Sequence, residues 1–309
     1  MLRLGVIGMM GKENGHPFSW SAIVNGDYDD EQMAQCGLDV IRSYLAANKD
    51  TLGIEGARVT CVWTQSRQIS EQIARASGVE KIVDRLEDMV EAVDAVLLAR
   101  DDAENHVSLA KPFLSAGIPI FIDKPLANTR EALAYFSSEV ERGRLLMSCS
   151  SMRYAPELRV AKQEAASLGT LELAVAVGKN GWSEYGVHLL EAVFAALDDP
   201  VATGVRHASC EGQDVVYVEF ETGTVATLHL FRNIFPTFQI SLFGSRGWRR
   251  VELKNLYAMH REAIRQFVRS VEAKTLRLPF CKTKNIIRTL IGAIESLNQG
   301  GKAISLRGE

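Results

Sequence analysis

Ile118-Pro119-Ile120-Phe121-Ile122, followed at once by Asp123-Lys124-Pro125, is the stretch on which the fold turns. Five apolar residues in a row, without polar alternation, read as a strand buried on both faces, the pattern of a parallel sheet. Ligands of open α/β sheets bind beyond the carboxyl ends of such strands, so Lys124 stands where chemistry is usually done. X-Pro bonds adopt the cis form far more readily than others, and a Lys-Pro turn can aim the amine into the crevice. There it can donate to a carbonyl or hydroxyl oxygen and stabilise developing negative charge. The alternative is a lysine in a surface loop.

Outward from this strand, residues 1 to about 150 alternate short apolar runs with helical patterns. Strands are expected at Leu4–Ile7, Val59–Trp63, Ile82–Val83, Ala95–Leu98, Pro119–Ile122 and Leu145–Ser148, with helices such as Glu71–Ser77, His106–Ala116 and Arg130–Glu141 between them. This is the signature of crossover helices on a parallel sheet. Gly78, Gly117 and Gly143 stand where helix C-termini use glycine, and Asn128-Thr129 can cap the third helix. The first crossover is long, with helical candidates Asp30–Cys36 and Leu38–Ala47, so an insertion of about residues 26–56 is expected to form a flap or to pack along the sheet edge. Beyond about 150 the rhythm changes to strands in series, at Val201–His207, Val215–Phe220, Val225–Leu230, Gln239–Phe243 and Arg249–Leu253, with a hairpin turn at Glu221-Thr222-Gly223. Strands in series imply a mostly antiparallel or mixed sheet in an α+β domain. Two domains are therefore expected, 1–150 and 151–309.

Bulk properties narrow the function. The chain has 309 residues, 47% hydrophobic and 24% charged, with a net charge of −3 and no basic run, which argues against nucleic acid as the main partner. No apolar stretch approaches the roughly 20 residues of a membrane span. The start Met1-Leu2-Arg3-Leu4-Gly5-Val6-Ile7 runs directly into a strand and leaves no room for a signal peptide. Five scattered cysteines without C-x-x-C spacing argue against a disulfide framework or zinc site, and no metal is expected. Cytoplasm is the expected compartment.

The motifs carry different weight. Gly8-Met9-Met10-Gly11-Lys12-Glu13-Asn14-Gly15 follows the first strand, where a phosphate-binding turn would lie, but departs from G-x-G-x-x-G with Met10 and Glu13 at the second and third glycine positions. Gly8, Met10 and Gly11 remain candidate cofactor contacts; the alternative is a glycine-rich surface loop. After the second strand, Thr64-Gln65-Ser66-Arg67 carries no acid for a ribose 2′-hydroxyl. Thr64, Ser66 and Arg67 are candidates there, and Ser66 with Arg67 lean towards the 2′-phosphate of NADP, against a solvated helix entry. Asp101 and His106, after the fourth strand, are further cofactor candidates, although His106 can equally cap its helix. In Ser183-Glu184-Tyr185-Gly186-Val187-His188, Glu184 lies four residues before His188 on one helical face. A histidine can be general acid or base while a carboxylate fixes its tautomer; alone, a helical histidine is more often structural. Arg153, Trp182 and Tyr185 are candidate substrate contacts, with a hinge or core role as the alternative. His16, His207, His229 and His260 show no metal-ligand spacing and are assigned nothing.

Together these stretches resemble the glucose–fructose oxidoreductase, inositol 2-dehydrogenase and MocA family. Its Glu-Lys-Pro signature is similar to Asp123-Lys124-Pro125, and its Asp-x-Gly-x-His signature to Glu184-Tyr185-Gly186-Val187-His188. Asn105-His106 and Arg153-Tyr154-Ala155-Pro156 resemble two further segments of the family. The resemblance implies an N-terminal Rossmann domain, a C-terminal α+β domain on an open sheet, and NAD(P) as cofactor. It implies hydride transfer to or from a carbinol or carbonyl carbon of a sugar, cyclitol or related polyol, with Lys124 orienting the reacting oxygen and His188 exchanging its proton. It also implies a homodimer or homotetramer through the open sheet. The degenerate glycine loop, the insertion and the missing acid are departures, all on the cofactor side. Two other readings stand beside this one: a lyase or hydrolase using nicotinamide transiently, and a non-catalytic sensor that keeps the fold.

Overall fold

The computed structural model describes Met1–Met9 and Asn14–Gly308, apart from the side chains of Val160 and Ala165. The chain divides into two units, Met1–Ala127 with Ala134–Cys149 and His260–Phe280, and Asn128–Leu133 with Ser150–Met259 and Cys281–Glu309.

The first unit holds strands β1 (Leu2–Gly8), β2 (Ala57–Trp63), β3 (Lys81–Ile82), β4 (Ala95–Ala99), β5 (Ile120–Ile122) and β6 (Leu146–Ser148). They form one sheet in the order β3-β2-β1-β4-β5-β6, and every pairing is parallel. This is the doubly wound order that places a ligand crevice where the strand order reverses, beside β1 and β4. The continuous apolar runs are explained by burial on both faces: all five residues of β4 and all three of β5 are buried. Each such aliphatic side chain withdrawn from water contributes about 1.5–3 kcal/mol before the entropy of ordering is charged.

Helices α1 (His16–Asn25), α2 (Asp30–Gln35), α3 (Asp39–Ala46), α4 (Arg67–Ser77), α5 (His106–Ala116) and α6 (Arg130–Glu141) fill the crossovers. Helices α4 and α5 stop on Gly78 and Gly117, both left-handed as expected. The insertion, expected as a flap or as packing along the sheet edge, packs on the helical layer, α2 on α4 and α3 on α1. Its apolar face, with Met33 and Leu45 fully buried, needs cover, and the helical layer provides it. A β-carbon on Gly15 would collide with Ile41 Cδ1 of α3.

The second unit holds α7 (Pro156–Ala165), β7 (Leu171–Lys179), α8 (Trp182–Ala196), β8 (Ala202–Cys210), β9 (Gln213–Phe220), β10 (Val225–Phe231), β11 (Phe238–Gly244), β12 (Gly247–Glu252), α10 (Phe280–Asn298) and β13 (Ile304–Ser305); α9 (Leu256–Ala273) precedes α10. The sheet order is β12-β11-β7-β10-β9-β8-β13. The β10–β7 pairing is parallel and the others antiparallel. Gly223, at φ +84°, closes the expected hairpin between β9 and β10. From His260 onward α9 belongs to the first unit, which a boundary near residue 150 does not anticipate. The reason is aromatic packing: the Phe267 ring stacks on Phe121 of β5 at 5.7 Å.

Candidate functional site

In the first unit, chemistry-bearing groups gather just past β5. Asp123 is almost fully buried. Its Oδ1 accepts the backbone N–H of Lys124 at 2.8 Å, and its Oδ2 accepts from His16 Nδ1 at 2.7 Å. Lys124 Nζ lies 3.9 Å from the same Oδ2, with 12% of its side chain exposed, and the Lys124-Pro125 bond is cis. His16, the first residue of α1, stacks on Trp20 at 5.0 Å and meets His260 of α9 edge-on at 5.0 Å. Trp20 Nε1–H donates to His260 Nδ1 at 3.4 Å.

The electrostatics follow from this crowding. Burial alone would raise the Asp123 carboxyl. The His16 and Lys124 charges, with the hydrogen bonds from both residues, instead hold it well below the usual carboxylate range. Removal from water, with the His16 and Lys124 cations nearby, pushes His260 down to about 3 despite the pull of Asp123. A neutral His260 suits a ring whose Nδ1 accepts a hydrogen bond.

In the second unit, α8 carries His188. Its Nδ1 lies 2.7 Å from Ser150 Oγ, and the rings of Tyr185 and Phe238 flank it at 5.2 and 6.4 Å. Glu184 does not hold this nitrogen, contrary to expectation. One turn of α8 carries its carboxylate to the half-exposed surface, 3.8 Å from Arg232.

Three further assignments are corrected by packing. Arg153 is spent within the unit: it binds Glu191 through Nε and Asp199 through both terminal nitrogens, at 3.1 and 2.7 Å, with 8% of its side chain exposed. Burial raises the Glu191 carboxyl, and Arg153 pulls it back. Trp182 is core, 3% exposed and tilted against His207 at 5.4 Å. His106 is a fully buried strut between the carbonyls of Arg100 and Leu126, at 2.9 and 3.2 Å, which leaves neither ring nitrogen for a cofactor.

The remaining cofactor candidates shape the loops after the strands. The Thr64 hydroxyl donates to the Ser66 carbonyl at 2.7 Å and accepts the Ser66 N–H at 3.2 Å, which fixes the turn into α4. Arg67 binds Glu71 at 3.2 Å and Asp84 at 2.5 Å on the surface. Asp101 accepts from Asn14 Nδ2 at 3.1 Å. Met10 and Gly11 lie outside the described residues. The neighbouring residues suit a dinucleotide: β1 ends on Gly8, where a β-carbon would stand 2.9 Å from the Pro17 ring. Helix α1 starts at His16 behind the N-cap Gly15, which has no side chain to cap its positive end, while Asn14 Oδ1 takes the His16 N–H at 3.1 Å.

The model of the GFO_IDH_MocA oxidoreductase family, with its NAD-binding Rossmann fold, matches residues 34–149. This stretch of the chain is similar to that family's NAD-binding domain. Inositol 2-dehydrogenase 1 of Saccharopolyspora erythraea is 33% identical over 127 residues, 39% of this chain and 37% of that protein. The curated relatives are thus matched over 37% and 42% of their own lengths. Solved structures extend the likeness in fold to the whole chain. The myo-inositol 2-dehydrogenase of Lactobacillus plantarum superposes with TM-score 0.75 over 99% of both chains at 14% identity. The myo-inositol dehydrogenase of Lactobacillus casei, in complex with NAD(H) and myo-inositol, gives 0.77 over 100% of this chain and 97% of that one at 13% identity.

The matched residues begin after β1, the glycine loop and α1, the region where the sequence departs from the dinucleotide pattern. Sequence reasoning missed His16, His260 and Ser150. His16 had one usable signal, its place at a helix start beyond a glycine-rich loop. Ser150 had another, at the carboxyl end of a parallel strand. His260 had none.

Proposed function

We propose that this chain is an NAD(P)-dependent oxidoreductase that transfers a hydride between nicotinamide and a carbinol or carbonyl carbon of a sugar, cyclitol or related polyol. The observation that carries it is Lys124 anchored on Asp123 at the carboxyl end of β5, in a sheet of dinucleotide-binding order. The ligands named for the Lactobacillus casei enzyme, NAD(H) and myo-inositol, support the substrate class. Gly8 and the start of α1 would hold the pyrophosphate, and Thr64, Ser66 and Arg67 the ribose end. Bound nicotinamide supplies the hydride acceptor or donor. Lys124 donates a hydrogen bond to the reacting oxygen and stabilises its negative charge. His188 exchanges the proton of that oxygen. The lean towards NADP rests on Ser66 and Arg67. The Arg67 pairs with Glu71 and Asp84 are exposed and exchange partners readily.

Lys124→Ala and His188→Ala test the reading. Each is expected to lower turnover of an identified polyol or its ketone by roughly 10²–10⁴-fold, the usual worth of a positioned proton-transfer group. Near-wild-type turnover in both variants would remove the assignment. Dinucleotide binding with no substrate turned over would favour the sensor, and turnover without net nicotinamide oxidation or reduction the transient-redox lyase.

A further inference from the structure

Resting on the proposed role of His188, we infer that Ser150 is its positioning residue and sets which ring nitrogen carries the proton of the neutral imidazole. Ser150 follows β6 and is fully buried. It is fixed at three points. Its backbone N–H donates to Glu191 Oε2 at 3.3 Å, its hydroxyl oxygen accepts the N–H of Met152 at 3.2 Å, and the same oxygen lies 2.7 Å from His188 Nδ1. Glu191, 2% exposed, is itself held by the Arg153 guanidinium. The buried ion pair thus braces the serine, and the serine braces the histidine.

Donor counting decides the tautomer. A serine hydroxyl has one proton and two lone pairs. Met152 fills one lone pair. If Nδ1 also donated, both pairs would be used and the hydroxyl proton would be stranded in a buried site, which is costly. If the hydroxyl donates to Nδ1, both of its contacts are satisfied. The neutral ring therefore carries its proton on Nε2. When the ring is doubly protonated, the hydroxyl must turn and accept from Nδ1–H, at the cost of its own proton's hydrogen bond. A carboxylate in this position could hold only a protonated Nδ1, whereas the serine favours the unprotonated one and adds no charge. The neutral ring accordingly offers an N–H at Nε2 to a substrate oxygen. To take a hydroxyl proton at Nε2, the ring must first carry its own proton on Nδ1, with the Ser150 hydroxyl turned round.

The test is ¹⁵N NMR of histidine-labelled protein at a pH where the ring is neutral, with His188→Ala assigning the signals. In the wild type, Nδ1 is expected to show as an unprotonated acceptor and Nε2 as the N–H. In Ser150→Ala, the two nitrogens should shift towards an exchange-averaged mixture of tautomers. Turnover should fall by about 10–100-fold, the scale of a lost supporting contact, with KM little changed. A serine that served only to cap the turn at Met152 would leave the His188 signals unmoved. Unchanged signals in S150A, or Nδ1–H as the resting state of the wild type, would overturn the inference. Should S150A fail to fold, S150C keeps the volume, replaces the hydroxyl by a poor hydrogen-bonding thiol and carries the same expectation. If the wild type turns over no polyol at all, the oxidoreductase reading fails, while the spectra still decide the role of the serine.

Discussion

Asp123 and His260 belong to one cluster and are both displaced downward, the carboxyl by neighbouring charge and the imidazole mainly by its removal from water. His260 falls from an ordinary 6.5 to about 3. Below pH 6.5 the unfolded chain therefore binds a proton that the folded one refuses, and stability drops as pH falls towards 3. Asp123 works in the same direction, but only below its ordinary carboxylate range. His260→Gln keeps an acceptor for Trp20 Nε1–H. It should flatten the slope of unfolding free energy between pH 6.5 and 4.5 by up to about 1.4 kcal/mol per pH unit. Parallel slopes in urea titrations of both proteins would show that His260 is not held neutral. Lys124 was legible in the sequence because one strand and one turn place it. Its companions were not, since α1 and α9 bring His16 and His260 to it from remote parts of the chain.

Helix α8 ends on two consecutive non-glycine residues in the left-handed region, Asp198 at φ +69° and Asp199 at φ +61°. Aspartate tolerates this conformation better than most residues, and the Asp199 carboxylate is also used. It binds Arg153 through two bonds and Lys282 Nζ at 2.7 Å. Asp199→Ala removes a carboxylate shared by two cations, the buried Arg153, which keeps Glu191, and the part-exposed Lys282. It should cost about 1.5–3 kcal/mol, the scale of hydrogen bonds to charged groups, read from the urea midpoint at constant m-value. A loss below about 1 kcal/mol would show that the network does not hold the end of α8. At this scale the sequence was informative about what exists and poor on what pairs. The strands, Gly78, Gly117, the Thr129 cap, which accepts the Ala132 N–H at 3.2 Å, and the hairpin at Gly223 all follow from local chemistry. Arg153 instead looked like a substrate contact, because its carboxylates lie 38 and 46 residues further on, beyond any local pattern. The insertion was legible as two helices, but its cover was not, since α3 meets α1 through side chains that no periodicity pairs.

The second unit's sheet buries one face, with Ala174, Ala176, Val216, Val218, Ala226 and Leu228 withdrawn from solvent. The other face presents Leu173, Val175, Val177, Thr227 and Tyr217, half-exposed or exposed. Their apolar character is more than a solvated sheet face requires. We propose that this chain associates through that face as a homodimer or homotetramer. Val175→Glu, near the middle of the face, should convert the assembly to a monomer by light scattering while leaving far-ultraviolet dichroism unchanged. Equal masses for both proteins would remove the face from consideration. The alternation that marks this sheet was readable strand by strand. The order of its strands was not, because the parallel β10–β7 pairing joins segments separated by α8, β8 and β9.

We propose that Gly8 and the N-terminus of α1 still serve a dinucleotide despite the altered glycine loop. The most direct measurement is a titration of the purified, nucleotide-free protein with NADPH and with NADH, following quenching of its four tryptophans. Saturable quenching is expected, tighter for NADPH than for NADH and weakened by Gly8→Ala, whose β-carbon would force Pro17 and α1 away from β1. No binding of either dinucleotide to folded protein would contradict the account.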